Sequence, residues 1–94
     1  MEIKKNGNII EIKGTIKTIS DAEKIIEAIN SIKENTIHIK IIDSYVIPSS
    51  VIGTLIKAVN KNKKVILGVK SELLEELIKD LRLDKTFNLY KLQN

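Results

Sequence analysis

Cysteine is absent from this 94-residue chain, which excludes a disulfide framework and any thiolate metal site. The aromatic side chains are Tyr45, Phe87 and Tyr90 alone. They are too few for the stacking platforms of nucleic-acid binders, so the net charge of +4 does not by itself point to nucleic acid. No uninterrupted apolar run approaches the roughly 20 residues that span a bilayer, so no membrane insertion is expected. Proline occurs once, at Pro48, and no Gly/Pro/Ser-rich linker, low-complexity tract or internal repeat divides the chain. The opening Met1-Glu2-Ile3-Lys4-Lys5 is not an apolar signal segment, and a cytoplasmic location is expected.

What remains is a chain with 43% hydrophobic residues, suited to one compact domain over residues 1–94. By size scaling it buries roughly 60–65% of its unfolded surface. The charges are unevenly placed. Between Ser44 and Ser71 every charged residue is a lysine (Lys57, Lys61, Lys63, Lys64 and Lys70), whereas Glu72, Glu75, Glu76, Asp80 and Asp84 dominate the next segment over Lys79 and Arg82.

Strands and helices alternate along the chain. Glu2–Lys5 and Asn8–Lys13 flank Asn6-Gly7, a dipeptide suited to the positive φ values of a two-residue hairpin turn. Ser20-Asp21-Ala22-Glu23 has capping-box spacing, after which Ala22, Ile25, Ile26, Ile29 and Ile32 recur at helical intervals. Ile37–Ile42 reads as a central strand with His38 and Lys40 on the face opposite Ile37, Ile39 and Ile41. A second helix follows Pro48, its apolar stripe Val51, Ile52, Leu55, Ile56 and Val59, and ends near Asn60-Lys61-Asn62. Val65–Val69 forms the next strand. Ser71 caps a third helix burying Leu73, Leu74, Leu77, Ile78 and Leu81, and Thr86–Tyr90 adds a last short strand. Crossover helices make the later strands parallel, so the expected fold is a small α/β domain with a mixed β-sheet, an N-terminal hairpin and helices packed on the sheet.

No catalytic constellation emerges. His38 stands in strand register without a serine or carboxylate placed nearby by local spacing, and reads as a sheet-surface residue. Gly53-Thr54-Leu55-Ile56-Lys57 lacks the paired glycines and Gly-Lys-Ser/Thr ending that cradle phosphate. Neither a metal nor a cofactor site is legible, and the expectation is a protein that is not an enzyme.

The distinctive stretch is Ile42-Asp43-Ser44-Tyr45-Val46-Ile47-Pro48-Ser49-Ser50-Val51-Ile52-Gly53, where an apolar strand gives way to an apolar helix. Pro48 closes the strand and lets Ser49 or Ser50 cap the helix. Capping accounts for one serine and not for two. With the apolar stripe turned inward, Ser49, Ser50, Gly53, Thr54 and Lys57 form an outward ridge, lowest at Gly53, where a partner backbone could approach.

In outline the whole chain resembles the STAS domain of bacterial anti-sigma factor antagonists. The family's Asp-Ser-Ser-Gly-Leu-Gly at the start of a helix is matched by Pro48-Ser49-Ser50-Val51-Ile52-Gly53. Lys64–Val69, the following Leu74 and Leu77, and Leu83-Asp84-Lys85-Thr86-Phe87-Asn88-Leu89-Tyr90 resemble its last strand, helix and Phe-x-x-Tyr tail. Lys40, Pro48 and Val51 stand where the family carries Asp, Asp and Gly. The resemblance implies a regulatory module of transcription signalling that binds an anti-sigma factor serine kinase through Ser49, Ser50, Gly53, Thr54 and Lys57, with Ser49 as phosphoacceptor. It also implies an alternative, a constitutive accessory subunit bound to the ATPase of a lipid-transport ABC system.

Overall fold

The computed structural model describes residues 1–93. Strands β1 (Glu2–Asn6) and β2 (Ile9–Lys13) form the hairpin. Helix α1 (Ile19–Asn30), strand β3 (Thr36–Ile41), helix α2 (Ser49–Asn60), strand β4 (Lys64–Val69), helix α3 (Glu72–Asp80) and strand β5 (Leu89–Lys91) follow. The five strands lie in chain order, β1-β2-β3-β4-β5, with β1 antiparallel to β2 and every later pair parallel. This is the expected mixed α/β sheet.

Because the strands advance across the sheet in one direction, right-handed crossovers place all three helices on the same face. The burial pattern records it: Ile10, Ile12, Ile37, Ile39, Ile41, Val65, Leu67 and Val69 are buried beneath the helices. The alternating residues Ile9, Glu11, His38, Lys40 and Ile66 are only half-buried on the uncovered face. From the helices, Ala22, Ile25, Ile29, Val51, Leu55, Ala58, Leu74 and Ile78 complete the core. Each fully buried Ile or Leu contributes about 1.5–3 kcal/mol relative to exposure.

Four local expectations are corrected. The hairpin turn is Gly7-Asn8, not Asn6-Gly7: Asn6 pairs with Ile9, and Gly7 supplies the positive φ of 64°. Sliding the turn by one residue moves the pairing by two, which opposes Ile3 to Ile12 on the helix-covered side. Helix α1 begins earlier than Ser20, with Thr18 as N-cap and Asp21 as its reciprocal partner. The Thr18 hydroxyl accepts from the Asp21 N–H at 3.0 Å, and the Asp21 carboxylate accepts from the N–H groups of Lys17 and Thr18 at 3.0 and 3.2 Å. Those bonds, the one from Lys17 foremost, hold the Asp21 carboxyl below its ordinary pKa.

Helix α3 is capped by Ser71 as expected, its hydroxyl accepting from the Leu74 N–H at 3.2 Å. A nine-residue helix resting on β4 and β5 has one buried stripe, and only Leu74 and Ile78 occupy it. Leu73, Leu77 and Leu81 remain 67%, 38% and 48% exposed. The final strand spans only Leu89–Lys91, because residues 84–88 form turns. Phe87 donates its N–H to the Leu83 carbonyl at 2.9 Å, and Asn88 takes a φ of 45° while its side chain donates to the Val65 carbonyl at 2.8 Å.

Candidate functional site

The five ridge residues lie along α2, with Ser49 and Ser50 at its start, beyond the carboxyl end of β3, and Lys57 in its last turn. Pro48, not a serine, is the N-cap of α2: its φ of −63° and ψ of 146° are extended, and its carbonyl accepts from Val51 and Ile52 at 3.0 and 3.1 Å. No side chain caps this helix. Ser49 and Ser50 lie one step inside, at the first two helical positions, where a side-chain oxygen is poorly placed for the capping bonds an N-cap residue makes. The expected capping role therefore falls to neither serine. Helices α1 and α3 carry acidic residues in their first turns, while α2 carries none.

The structure divides the ridge into two rows. Val51, Leu55 and Ala58 face the core, with Ile52, Ile56 and Val59 half-buried beside them. Ser49 and Gly53 occupy the crest of α2. Ser49 is exposed, and a Cβ added at Gly53 would meet nothing within 4 Å. Ser50, Thr54 and Lys57 lie on the flank towards α1, where they line two grooves. One groove, about 470 Å³, joins Ser50 and Pro48 to Ile16, Ile19 and Ala22. The other, about 500 Å³, places Thr54 and Lys57 against Ile26 and Ile29. The Thr54 hydroxyl donates to the Ser50 carbonyl at 2.9 Å, holding the flank together.

Two neighbouring loops set the position of the ridge. Ser44 is fully buried; its hydroxyl accepts from the Ile16 and Val46 N–H groups, each at 3.3 Å, and donates to the Val46 carbonyl at 2.8 Å. The Asp43 carboxylate accepts from the Gly14 N–H at 2.9 Å. Together they tie the loop after β2 to the loop after β3. Sequence reasoning missed this role, although an Asp-Ser pair directly after a strand is a turn signature whose side chains bind nearby backbone. It also missed the apolar rim. Ile19, Tyr45 and Val46 are 79%, 56% and 39% exposed at the same end of the molecule.

His38 lies on the uncovered sheet face, as expected, but it has a partner the local sequence did not reveal. Its Nε2 is 2.6 Å from the Tyr90 hydroxyl, and the rings meet edge to face. Tyr90 crosses Gly68, where a Cβ would come within 2.6 Å of the ring, so glycine gives the phenol its path over β4. Burial, then the charge of Lys40, pushes the His38 pKa down, and burial pushes that of Tyr90 up. With His38 depressed below its unfolded value, the unfolded chain binds more protons in the window between the two. The contribution of His38 is thus present above about pH 6.5 and lost as pH falls towards the depressed value. Urea melts across that window are expected to show stability decreasing as pH is lowered, and His38→Gln is expected to flatten the decline. An unchanged slope in the variant would assign it to other groups.

Among the described residues no three histidine, aspartate or glutamate side chains converge as ligands for a metal ion, and no helix is long and apolar enough to cross a membrane. Comparison with known proteins finds no matching family model, no matching curated protein and no matching solved structure.

Proposed function

We propose that this chain is a cytoplasmic, non-enzymatic regulatory module of the STAS type, acting as an anti-sigma factor antagonist. It docks an anti-sigma factor serine kinase or a related protein through the N-terminal part of α2, and phosphorylation of Ser49 switches that docking. The observation that carries this reading is the crest of Ser49 and Gly53. Ser49 is exposed and free of capping duty, and Gly53 leaves room above the helix backbone for a partner to approach. The exposed Ile19, Tyr45 and Val46 beside it add apolar area for docking.

A phosphate on Ser49 would sit at a helix N-terminus, where free N–H groups and the dipole favour an anion by about 0.3–1 kcal/mol at an exposed site. The fold tolerates the modification, and its effect falls on the partner. A charge near −2 in a contact surface of neutral hydroxyls repels an acidic docking face and resists desolvation.

Pro48 supports a second reading. It stands where the STAS pattern carries an aspartate next to the phosphoacceptor, which favours constitutive binding to a lipid-transport ATPase. Affinity capture with wild-type, Ser49→Ala and Ser49→Asp proteins separates the two. Capture of a kinase-like ATPase by wild-type and Ser49→Ala, reduced at least about tenfold by Ser49→Asp, is the expected result. Equal capture of one partner by all three folded proteins would remove Ser49 as a switch, and recovery of a transporter ATPase would establish the second reading.

A further inference from the structure

We propose that this chain assembles head to tail with further copies of itself, the outer row of α3 from one copy seating in the lysine-flanked groove between α1 and α2 of the next. The proposal stands independently of the partner reading above. Two unpartnered surfaces on one chain carry it. On α3, Leu73 and Leu77 lie one helical turn apart and are 67% and 38% exposed, followed by Leu81 at 48%. Glu76 and Asp80 form an adjacent row with the same one-turn spacing. The other carboxylates of the helix are engaged internally, Glu75 with Lys79 at 3.8 Å and Glu72 with Lys91 at 3.6 Å. Among the described residues Glu76 and Asp80 form no ion pair.

The groove has the complementary character. It encloses about 500 Å³ over an apolar floor that includes Ile26, Ile29 and Ala58; three lysines line it and no carboxylate does. Lys63 is committed, its Nζ donating to the Ile32 carbonyl at 2.6 Å. Lys57, in the last turn of α2, and Lys61, its C-cap, are in no ion pair among the described residues, and the Lys61 N–H donates to the Lys57 carbonyl at 3.1 Å, so they too stand one turn apart. Side chains four apart on a helix have Cβ atoms about 5–6 Å apart. The lysine pair and the carboxylate pair therefore match in spacing as well as in sign, with leucines and isoleucines to pack between them.

A symmetric pairing of α3 with α3 is the poorer alternative. It would set the Glu76 and Asp80 rows of the two copies against each other, and like charges in contact are destabilising. Pairing unlike surfaces leaves each copy with one surface free, so association continues into chains or rings and does not stop at two. It also covers Thr54 and Lys57, so assembled copies present a reduced crest flank.

Sedimentation equilibrium of the intact chain from about 10 μM to about 1 mM at low salt tests the proposal, because exposed charges act most strongly there. The weight-average mass is expected to climb beyond two chains, and Lys57→Glu with Lys61→Glu, or Leu73→Ser with Leu77→Ser, is expected to leave monomers. An equimolar mixture of those two variants retains one good groove and one good row, so it is expected to form a species of two chains and no larger. If the serine substitutions unfold α3, Glu76→Lys with Asp80→Lys serves in their place, and mixing it with the groove variant is expected to restore extended assembly through reversed charges. A wild-type chain that stays monomeric, growth that stops at two, or mixtures that fail to associate would each overturn the proposal.

Discussion

Replacing Phe87 with alanine is expected to destabilise the fold by about 3–5 kcal/mol, the range for deleting a buried phenyl group. Phe87 is the chain's only phenylalanine, fully buried in the same core as Leu74, Ile78 and the inward strand residues. Its backbone is committed too: the carbonyl accepts from the Leu67 N–H at 2.9 Å, immediately before β5 pairs with β4. Emptying the site removes packing from α3 and from the turn that delivers β5. Against a net stability of about 5–15 kcal/mol, a loss of this size leaves some chains largely unfolded. The corresponding fall in Tm exceeds about 12 °C for a chain of this length. A urea titration showing less than about 1 kcal/mol would mean that the neighbours collapse into the space, so that the ring is not the anchor its burial implies.

Gly53→Arg is expected to leave the fold intact and to reduce partner capture at least tenfold, which corresponds to about 1.4 kcal/mol or more of binding free energy. The two effects separate because the glycine faces open space. A Cβ there meets nothing within 4 Å, and arginine is intrinsically a better helix residue than glycine by somewhat under 1 kcal/mol. The added bulk is presented only to whatever docks on the crest. Gly53→Ala is the control, since it adds a single methyl group. The lysines on the flank make the wild-type interaction salt-sensitive if the partner face is acidic. Undiminished capture by a folded Gly53→Arg protein would place the docking surface elsewhere.

The order of elements was legible because β-branched runs, helical periodicity and the Asn-Gly region each carry a local signal. The errors fall where two local solutions compete. Thr18 and Asp21 form the same reciprocal cap that Ser20 and Glu23 could have formed, and only the rest of the fold selects between them. Leu73, Leu77 and Leu81 fit a helical stripe as well as Leu74 and Ile78 do, but periodicity does not say how much of that stripe the two underlying strands cover. At the candidate site the same limit applies. The helical repeat placed Ser49, Ser50, Gly53, Thr54 and Lys57 away from the core, yet the division into a crest and a groove flank depends on α1, a neighbour the repeat does not encode. His38 and Tyr90 lie 52 positions apart, beyond the reach of any local pattern.

A sheet whose spatial order equals its chain order works like a short coil of stacked turns. Each β–α turn rests mainly on the turn before and the turn after it, as repeats do in a solenoid. Fraying of the terminal strands, short of emptying a core site such as that of Phe87, is therefore absorbed locally, with the Tyr90 to His38 bond as a tie that skips a turn. The crest of Ser49 and Gly53 belongs to the middle turn, insulated on both sides, and loosening of β1 or β5 reaches it last.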